Sequence, residues 1–201
     1  MRIRASLAAA ALLFSPLALL AQEHGGNEHA KMEHPVTIVV IVRHAEKAAQ
    51  PAADPPLTAT GQARAQSLAD LLANANVGAV LHTPTTRTRE TARPTAERYR
   101  ITSEILPLGG PTEVHAQLVA DAVKKHPGQT VLVVGHSNTI MAYVAALGGP
   151  SRAVLCDHQY DGIYTLVIAH GETRMVEGRY GPANPPAAPN CPAMQPPRGR
   201  P

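Results

Sequence analysis

Two apolar runs, each ending on a histidine, constrain this chain more than anything else in it. Val36-Thr37-Ile38-Val39-Val40-Ile41-Val42 leads into Arg43-His44, and Thr130-Val131-Leu132-Val133-Val134-Gly135 leads into His136. Runs this rich in β-branched residues, with no polar alternation, read as strands covered on both faces, as in parallel sheets. Ligands of open α/β sheets bind beyond the carboxyl ends of such strands. The pattern predicts an Arg-His pair and a second His at one edge of one sheet, an arrangement suited to handling phosphate.

The remaining sequence alternates in the same way. After strand one (36–42), residues 62–73 carry a helical stripe of Ala63, Ala65, Leu68, Leu71 and Leu72, with Thr58 as N-cap. A strand at 77–81 is followed by a helix at 86–99, which Pro94 is expected to shorten or kink. A third strand at 101–106 and a helix at 113–125 precede strand four (130–134). A helix at 139–147 then ends at Gly148-Gly149-Pro150. Two closing strands, 162–169 and 174–179, flank a His170-Gly171 turn. Strands alternating with helices of this length predict an α/β three-layer sandwich, its mostly parallel central sheet carrying helices on both faces.

Both ends differ from this core. Arg2 and Arg4 precede an apolar stretch at 5–20, which has the form of an export signal cut after Ala21, or after Ala18. It is too short, and too interrupted by Pro16, for a membrane span. The expected organisation is a signal peptide (1–21), a polar linker (22–35), one domain (36–181) and a Pro-rich tail (182–201), with the mature protein periplasmic or extracellular. Within the linker, His24, His29 and His34 recur every five residues, a spacing that does not share one helical face. A solvated linker fits that composition better than a metal tract.

Losing residues 1–21 leaves 180, enough for one domain with a sizeable core. It also removes two arginines and no acids, so the formal net charge falls from +3 to +1. With one Phe, five Tyr, no Trp and no basic stripe, nucleic-acid binding is not expected. Cys156 and Cys191 are the two cysteines, without CxxC or zinc-ligand spacing. In an exported chain they are expected to form a disulfide tying the tail to the domain.

Three segments that follow predicted strands carry the chemistry: Arg43-His44-Ala45-Glu46-Lys47, residues 83–92 around Arg87, and Gly135-His136-Ser137-Asn138-Thr139. Two planar guanidinium forks match the oxygens of a phosphoryl dianion. A neutral imidazole is a competent nucleophile toward phosphorus when a neighbour fixes its tautomer. The third segment also opens a helix, whose N-terminus favours an anion. Glu46 and Lys47 read as a solvated pair, Arg89 as facing solvent or a carboxylate, and Asp157, His158 and Asp161 as a loop network.

These segments resemble the histidine phosphatase superfamily, with its phosphoglycerate-mutase-like fold, in a small one-domain branch. The likeness spans roughly residues 36–181. It rests on Arg43-His44-Ala45-Glu46, on Leu57-Thr58 with Gly61, on Thr83-Pro84 with Arg87 and Thr91-Ala92, and on residues 135–139. Thr83 stands where that family usually has serine. The resemblance implies His44 as nucleophile, with Arg43, Arg87 and His136 completing the phosphate pocket and no metal or other cofactor. A carboxylic acid would protonate the leaving oxygen. Glu113 is the candidate, a role that competes with simple complementation of a helix dipole; His115 and Glu104 are weaker choices.

The expected activity is that of an exported phosphohydrolase acting on a small phosphomonoester or a phosphoprotein. A mutase is the alternative inside the family. Against it stand the missing Ser/Thr-x-x-Asn extension after Lys47 and the mere 48 residues between Arg87 and His136. A non-catalytic phospho-ligand or metal-binding module is the alternative outside it, and a binder has no need of both histidines. Oligomeric state is not encoded in any of these features.

Overall fold

The computed structural model describes residues 35–187. The expected signal segment, nearly all of the linker, Cys191 and the tail from 188 onward lie outside the described residues. Cys156 is disulfide-bonded.

The elements alternate as β1 (Thr37–Arg43), α1 (Ala59–Leu71), β2 (Val77–His82), α2 (Thr86–Tyr99), β3 (Glu104–Ile105), α3 (Thr112–Val123), β4 (Thr130–Gly135) and α4 (Ile140–Ala146), then β5 (Gly162–Ala169) and β6 (Glu172–Arg179). They form one six-stranded sheet in the order β3-β2-β4-β1-β5-β6. The first four strands are mutually parallel, whereas β5 runs antiparallel to β1 and β6 antiparallel to β5.

The continuous apolar runs now have their reason. Alternate residues of β1 and β4 serve opposite faces, and both faces are covered. Val39, Ile41, Val131 and Val133 join Val119 and Val123 of α3 and Ile140 and Val144 of α4 in one cluster. Val40, Val42, Leu132 and Val134 join Leu68 of α1 and Ala92 and Ala96 of α2 in the other. No solvent-facing side remains where polar residues would alternate.

Some boundaries differ from the sequence expectation. Helix α2 continues through Pro94, because Thr88, Thr91, Ala92, Thr95 and Ala96 bury its inner face whatever the proline withholds. Strand β3 is two residues long rather than six. Arg100 adopts a left-handed conformation and Ile101 N–H still donates to Ala96 O, so the chain is closing the helix where a strand was expected.

Glu46 is a second correction: it is buried, not part of a solvated pair. Arg64 of α1, fully buried, donates from Nε and Nη2 to the Glu46 carboxylate at 2.6–3.1 Å and from Nη1 to Tyr180 O at 2.8 Å. Glu46 O also accepts from Thr58 N–H, and the chain passes so close that a Cβ on Gly61 would lie 2.3 Å from that oxygen. The turn after β1 is thus fixed to the start of α1 through one residue. Thr58 does cap α1, accepting from Gly61 N–H. Removing one partner of a buried ion pair leaves the other charge uncompensated, at a cost of about 3–5 kcal/mol. Glu46→Ala is expected to lower unfolding free energy by that amount in urea titrations; a change below about 1 kcal/mol would show the pair to be dispensable.

Candidate active site

The site begins with strand register. β1 and β4 pair in parallel with Arg43 opposite Gly135, so His44 and His136 leave adjacent strands side by side. His44 N–H donates to Gly135 O at 2.9 Å, extending the pairing past the strand ends. The two imidazoles lie edge to face with centroids 5.4 Å apart. Gly135 has no room for a side chain: a Cβ there would lie 2.6 Å from the Tyr143 ring and 2.9 Å from Ile140.

His44 is 3% exposed, and its Nδ1 lies 2.8 Å from Ala45 O. A carbonyl only accepts, so Nδ1 carries the proton and Nε2 the lone pair. Burial, with further repulsion from Arg43, His136 and Arg87, lowers its pKa to about 3. Burial likewise lowers His136 to about 4, with Arg87 the next contributor. Both rings are neutral near pH 7.

The tautomer of His136 follows from its neighbours. Arg87 Nη2 donates to Nδ1 at 3.5 Å, so Nε2–H donates to Thr83 Oγ1 at 2.9 Å. Thr83 in turn donates to Thr88 Oγ1, and the Thr88 hydroxyl donates to the carbonyls of Thr83 and Thr85. The chain of donors closes without conflict. A hydroxyl at 83 is what this network requires, which is why threonine serves where serine is usual. Thr91 links the same helix to the first histidine: its Oγ1 accepts from Ala45 N–H and donates to Arg87 O.

Arg43 is buried and Arg87 partly so. Arg43 Nη1 is shared among the carbonyls of Cys156, Asp157 and Gln159 at 2.9–3.1 Å, and its Nη2 lies 3.6 Å from the Asp157 carboxylate. Arg87 Nη1 lies 3.9 Å from Asp54. The Nε of each arginine is buried without a protein partner. Unpaired buried N–H groups are costly, and two guanidinium edges at one sheet edge have the chemistry to accept an oxyanion.

The structure thus brings Arg43, His44, Arg87 and His136 together. Glu113 stands apart on the exposed first turn of α3, lining a groove with Asn138 and Arg152. His115 is buried against Tyr143, and Glu104 pairs with His126. Arg89 donates to Thr86 Oγ1. The start of α4 contributes less than its sequence promised, since the N–H groups of Thr139 and Ile140 already donate to His136 O. Sequence reasoning did not find Asp54 or Tyr160. Asp54 accepts from the Thr86 N–H and hydroxyl at the start of α2, and the Tyr160 ring centroid lies 4.0 Å from Arg43 Cζ. An acid or aromatic in a loop carries no periodic signal that would have singled it out.

Residues 39–108 match the family model of the histidine phosphatase superfamily, branch 1. A comparison with curated proteins finds no match. Among solved structures, the chain is similar to the protein histidine phosphatase SixA complexed with tungstate (TM-score 0.56, 19% identity, covering 71% of this chain and 96% of that one). It is similar also to phosphoglycerate mutase from Bacillus anthracis str. Sterne (TM-score 0.57, 15% identity, 74% and 95% covered). A third is a phosphoserine phosphatase mutant from Entamoeba histolytica in complex with phosphoserine (TM-score 0.53, 18% identity, 72% and 96% covered). The motif region of residues 39–108 matches the histidine phosphatase superfamily model, and the six-stranded sheet with its helices has the phosphoglycerate-mutase-like fold.

Proposed function

We propose that this protein is a phosphohydrolase that cleaves phosphomonoesters through a phosphohistidine on His44. One observation carries the reading: a buried, neutral His44, its Nδ1–H fixed on Ala45 O, presents Nε2 beside two arginines whose Nε groups lack partners. The Nε2 lone pair attacks phosphorus as the ester P–O bond breaks, and the leaving oxygen takes a proton. Water then attacks the phosphohistidine, releasing phosphate and restoring neutral His44. Arg43, Arg87 and His136 stabilise the charge on the equatorial oxygens, which is most of what phosphoryl transfer asks of a protein.

Hydrolysis is favoured over mutase chemistry by the connection between the two halves of the site. From Arg87 to His136 the chain forms only the rest of α2, then β3, α3 and β4, with no further element to cover a substrate between half-reactions. Without a covering insertion, the substrate could be a small phosphomonoester or a phosphoprotein; the likeness to a protein histidine phosphatase supports keeping the latter. We assign the leaving-group proton to Glu113, on the groove it shares with Asn138, two residues beyond His136. Export rests on residues 1–21, and a native protein beginning near Gln22 in a non-cytoplasmic fraction is the expected mass-spectrometric result. An intact Met1 in the cytoplasm would end that part of the proposal.

Rapid quench with labelled substrate tests the mechanism directly. The expected adduct is acid-labile, alkali-stable and mapped to His44. His44→Ala is expected to lose turnover yet retain tungstate binding, while Arg87→Ala loses about 2–4 kcal/mol of transition-state stabilisation. Glu113→Gln should slow alkyl phosphates by roughly 10²–10⁴ and leave aryl phosphates, whose leaving groups need no proton, little affected. Label on another residue, or full activity in His44→Ala, would refute the reading.

Holding two imidazoles neutral also makes the fold acid-sensitive. Both pKa values drop from about 6.5 on folding, to about 3 for His44 and about 4 for His136. Between these limits the unfolded chain binds protons that the native protein does not, so their stabilising contribution is complete above pH 6.5 and declines as pH falls. The slope is about 1.4 kcal/mol per pH unit for each histidine, levelling off near pH 4 for His136 and near pH 3 for His44. Urea unfolding at pH 7, 6 and 5 is expected to show this decline, and the double variant His44→Gln/His136→Gln to flatten it. Equal stability at pH 7 and 5 in the wild type would contradict it.

A further inference from the structure

Arg43 is restrained on two sides by one short segment. The carbonyls of Cys156, Asp157 and Gln159 take its Nη1, and the Tyr160 ring lies across its guanidinium, 4.0 Å from Cζ to the ring centroid. The same ring stands 6.2 Å from the His44 imidazole, centroid to centroid, tilted by 57°. Tyr160 is only half-buried, so its ring stands between the buried His44 and Arg43 and the protein surface. What remains of Arg43 for a ligand is the Nε edge, whose buried N–H has no protein partner.

The segment is itself braced from beyond the last strand. Asn184 Oδ1 accepts from the N–H groups of Tyr160 and Asp161 at 2.8 and 3.1 Å, and its Nδ2 donates to the Asp161 carboxylate at 2.7 Å. Tyr180 N–H donates to Asp161 O. Leu155 N–H donates to Ser137 O, next to His136, and Gln159 Oε1 accepts from Cys156 N–H. Asn184 therefore fixes the backbone on which Tyr160 is mounted. A ring face attracts a guanidinium through its quadrupole, and a half-desolvated pair of this kind orients the cation as well as stabilising it.

We propose that Tyr160, latched by Asn184, is a positioning residue for the oxyanion-binding arginine: its ring sets the plane of Arg43 so that the Nε edge faces the phosphoryl group on His44. This rests on the reading of Arg43 as a phosphate ligand. The ring, not the hydroxyl, performs the task. Its neighbour Asp157 lies too far out, with a side chain 98% exposed, to fix the guanidinium by itself.

The test uses the full chain and three variants, Tyr160→Phe, Tyr160→Leu and Asn184→Ala, with a fourth, Arg43→Lys, for assignment, and two readouts. The first is steady-state hydrolysis of an aryl phosphate, inhibition by inorganic phosphate and direct calorimetric binding of tungstate. Tyr160→Leu is expected to raise KM and the phosphate inhibition constant by roughly 3- to 30-fold, with a smaller change in kcat, and Tyr160→Phe to recover most of the affinity. Asn184→Ala should shift the same constants in the same direction. The second readout is the Arg43 Nε–H resonance, assigned through its loss in Arg43→Lys. Ring current is expected to displace it in wild type and Tyr160→Phe and not in Tyr160→Leu, whatever the activity. Unchanged phosphate inhibition in Tyr160→Leu, a Phe variant as impaired as Leu, or an Arg43 signal insensitive to residue 160 would each overturn the proposal. A wild-type protein that neither hydrolyses the ester nor binds tungstate would instead overturn the phosphatase reading, and the positioning role with it.

Discussion

Parallel pairing of β1 with β4 in a single register is the constraint on which the site depends. Arg43 faces Gly135 across that ladder, and His44 N–H continues it by bonding Gly135 O. A slip by one residue would turn every side chain of β1 to the other face and send valines and isoleucines to the wrong layer. Since both layers are filled, by α3 and α4 on one side and α1 and α2 on the other, the register is fixed by the burial of both faces together. The two imidazoles meet at 5.4 Å because the core permits no other alignment of the strands that carry them.

Burying two imidazoles and a guanidinium at a strand edge is expensive unless each polar atom has a destination. Here the threonines supply much of it. Thr83 and Thr88 take the His136 proton inward along hydroxyls to backbone carbonyls, and Thr91 joins the His44 turn to the helix bearing Arg87. Each hydroxyl both gives and receives, so a short chain of them sets proton positions that aliphatic residues of the same shape would leave undetermined. The Glu46–Arg64 pair does related work behind the site, holding the turn after β1 against α1. Among the buried polar atoms left without a protein partner are the Nε groups of Arg43 and Arg87, the two arginines of the histidine–arginine cluster.

Legibility in the sequence followed periodicity and motif. The runs before His44 and His136 gave two strands, their burial and the shared edge without reference to any other residue. Thr58 was readable as a cap because capping is local. Glu46 was misread because its partner Arg64 is on another element, and no spacing rule connects a turn to the inner face of a helix 18 residues on. Strand β3 shrank to two residues because the left-handed Arg100 and the closing turn of α2 consumed part of the segment, a choice made by helix termination and not by β propensity.

By itself, the order of residues determined an alternating α/β chain with two histidines and an arginine delivered to one sheet edge, since strand burial and side-chain chemistry are properties of short segments. Only the tertiary structure decided which atoms remain free. It set the tautomers through Ala45 O and Thr83, brought Asp54 to the start of α2, and laid Tyr160 on Arg43 from a segment more than a hundred residues away. The physical reason is the same for each: a hydrogen bond or ring contact between distant segments depends on how packed layers bring loops together, and a loop leaves no periodic trace in the sequence.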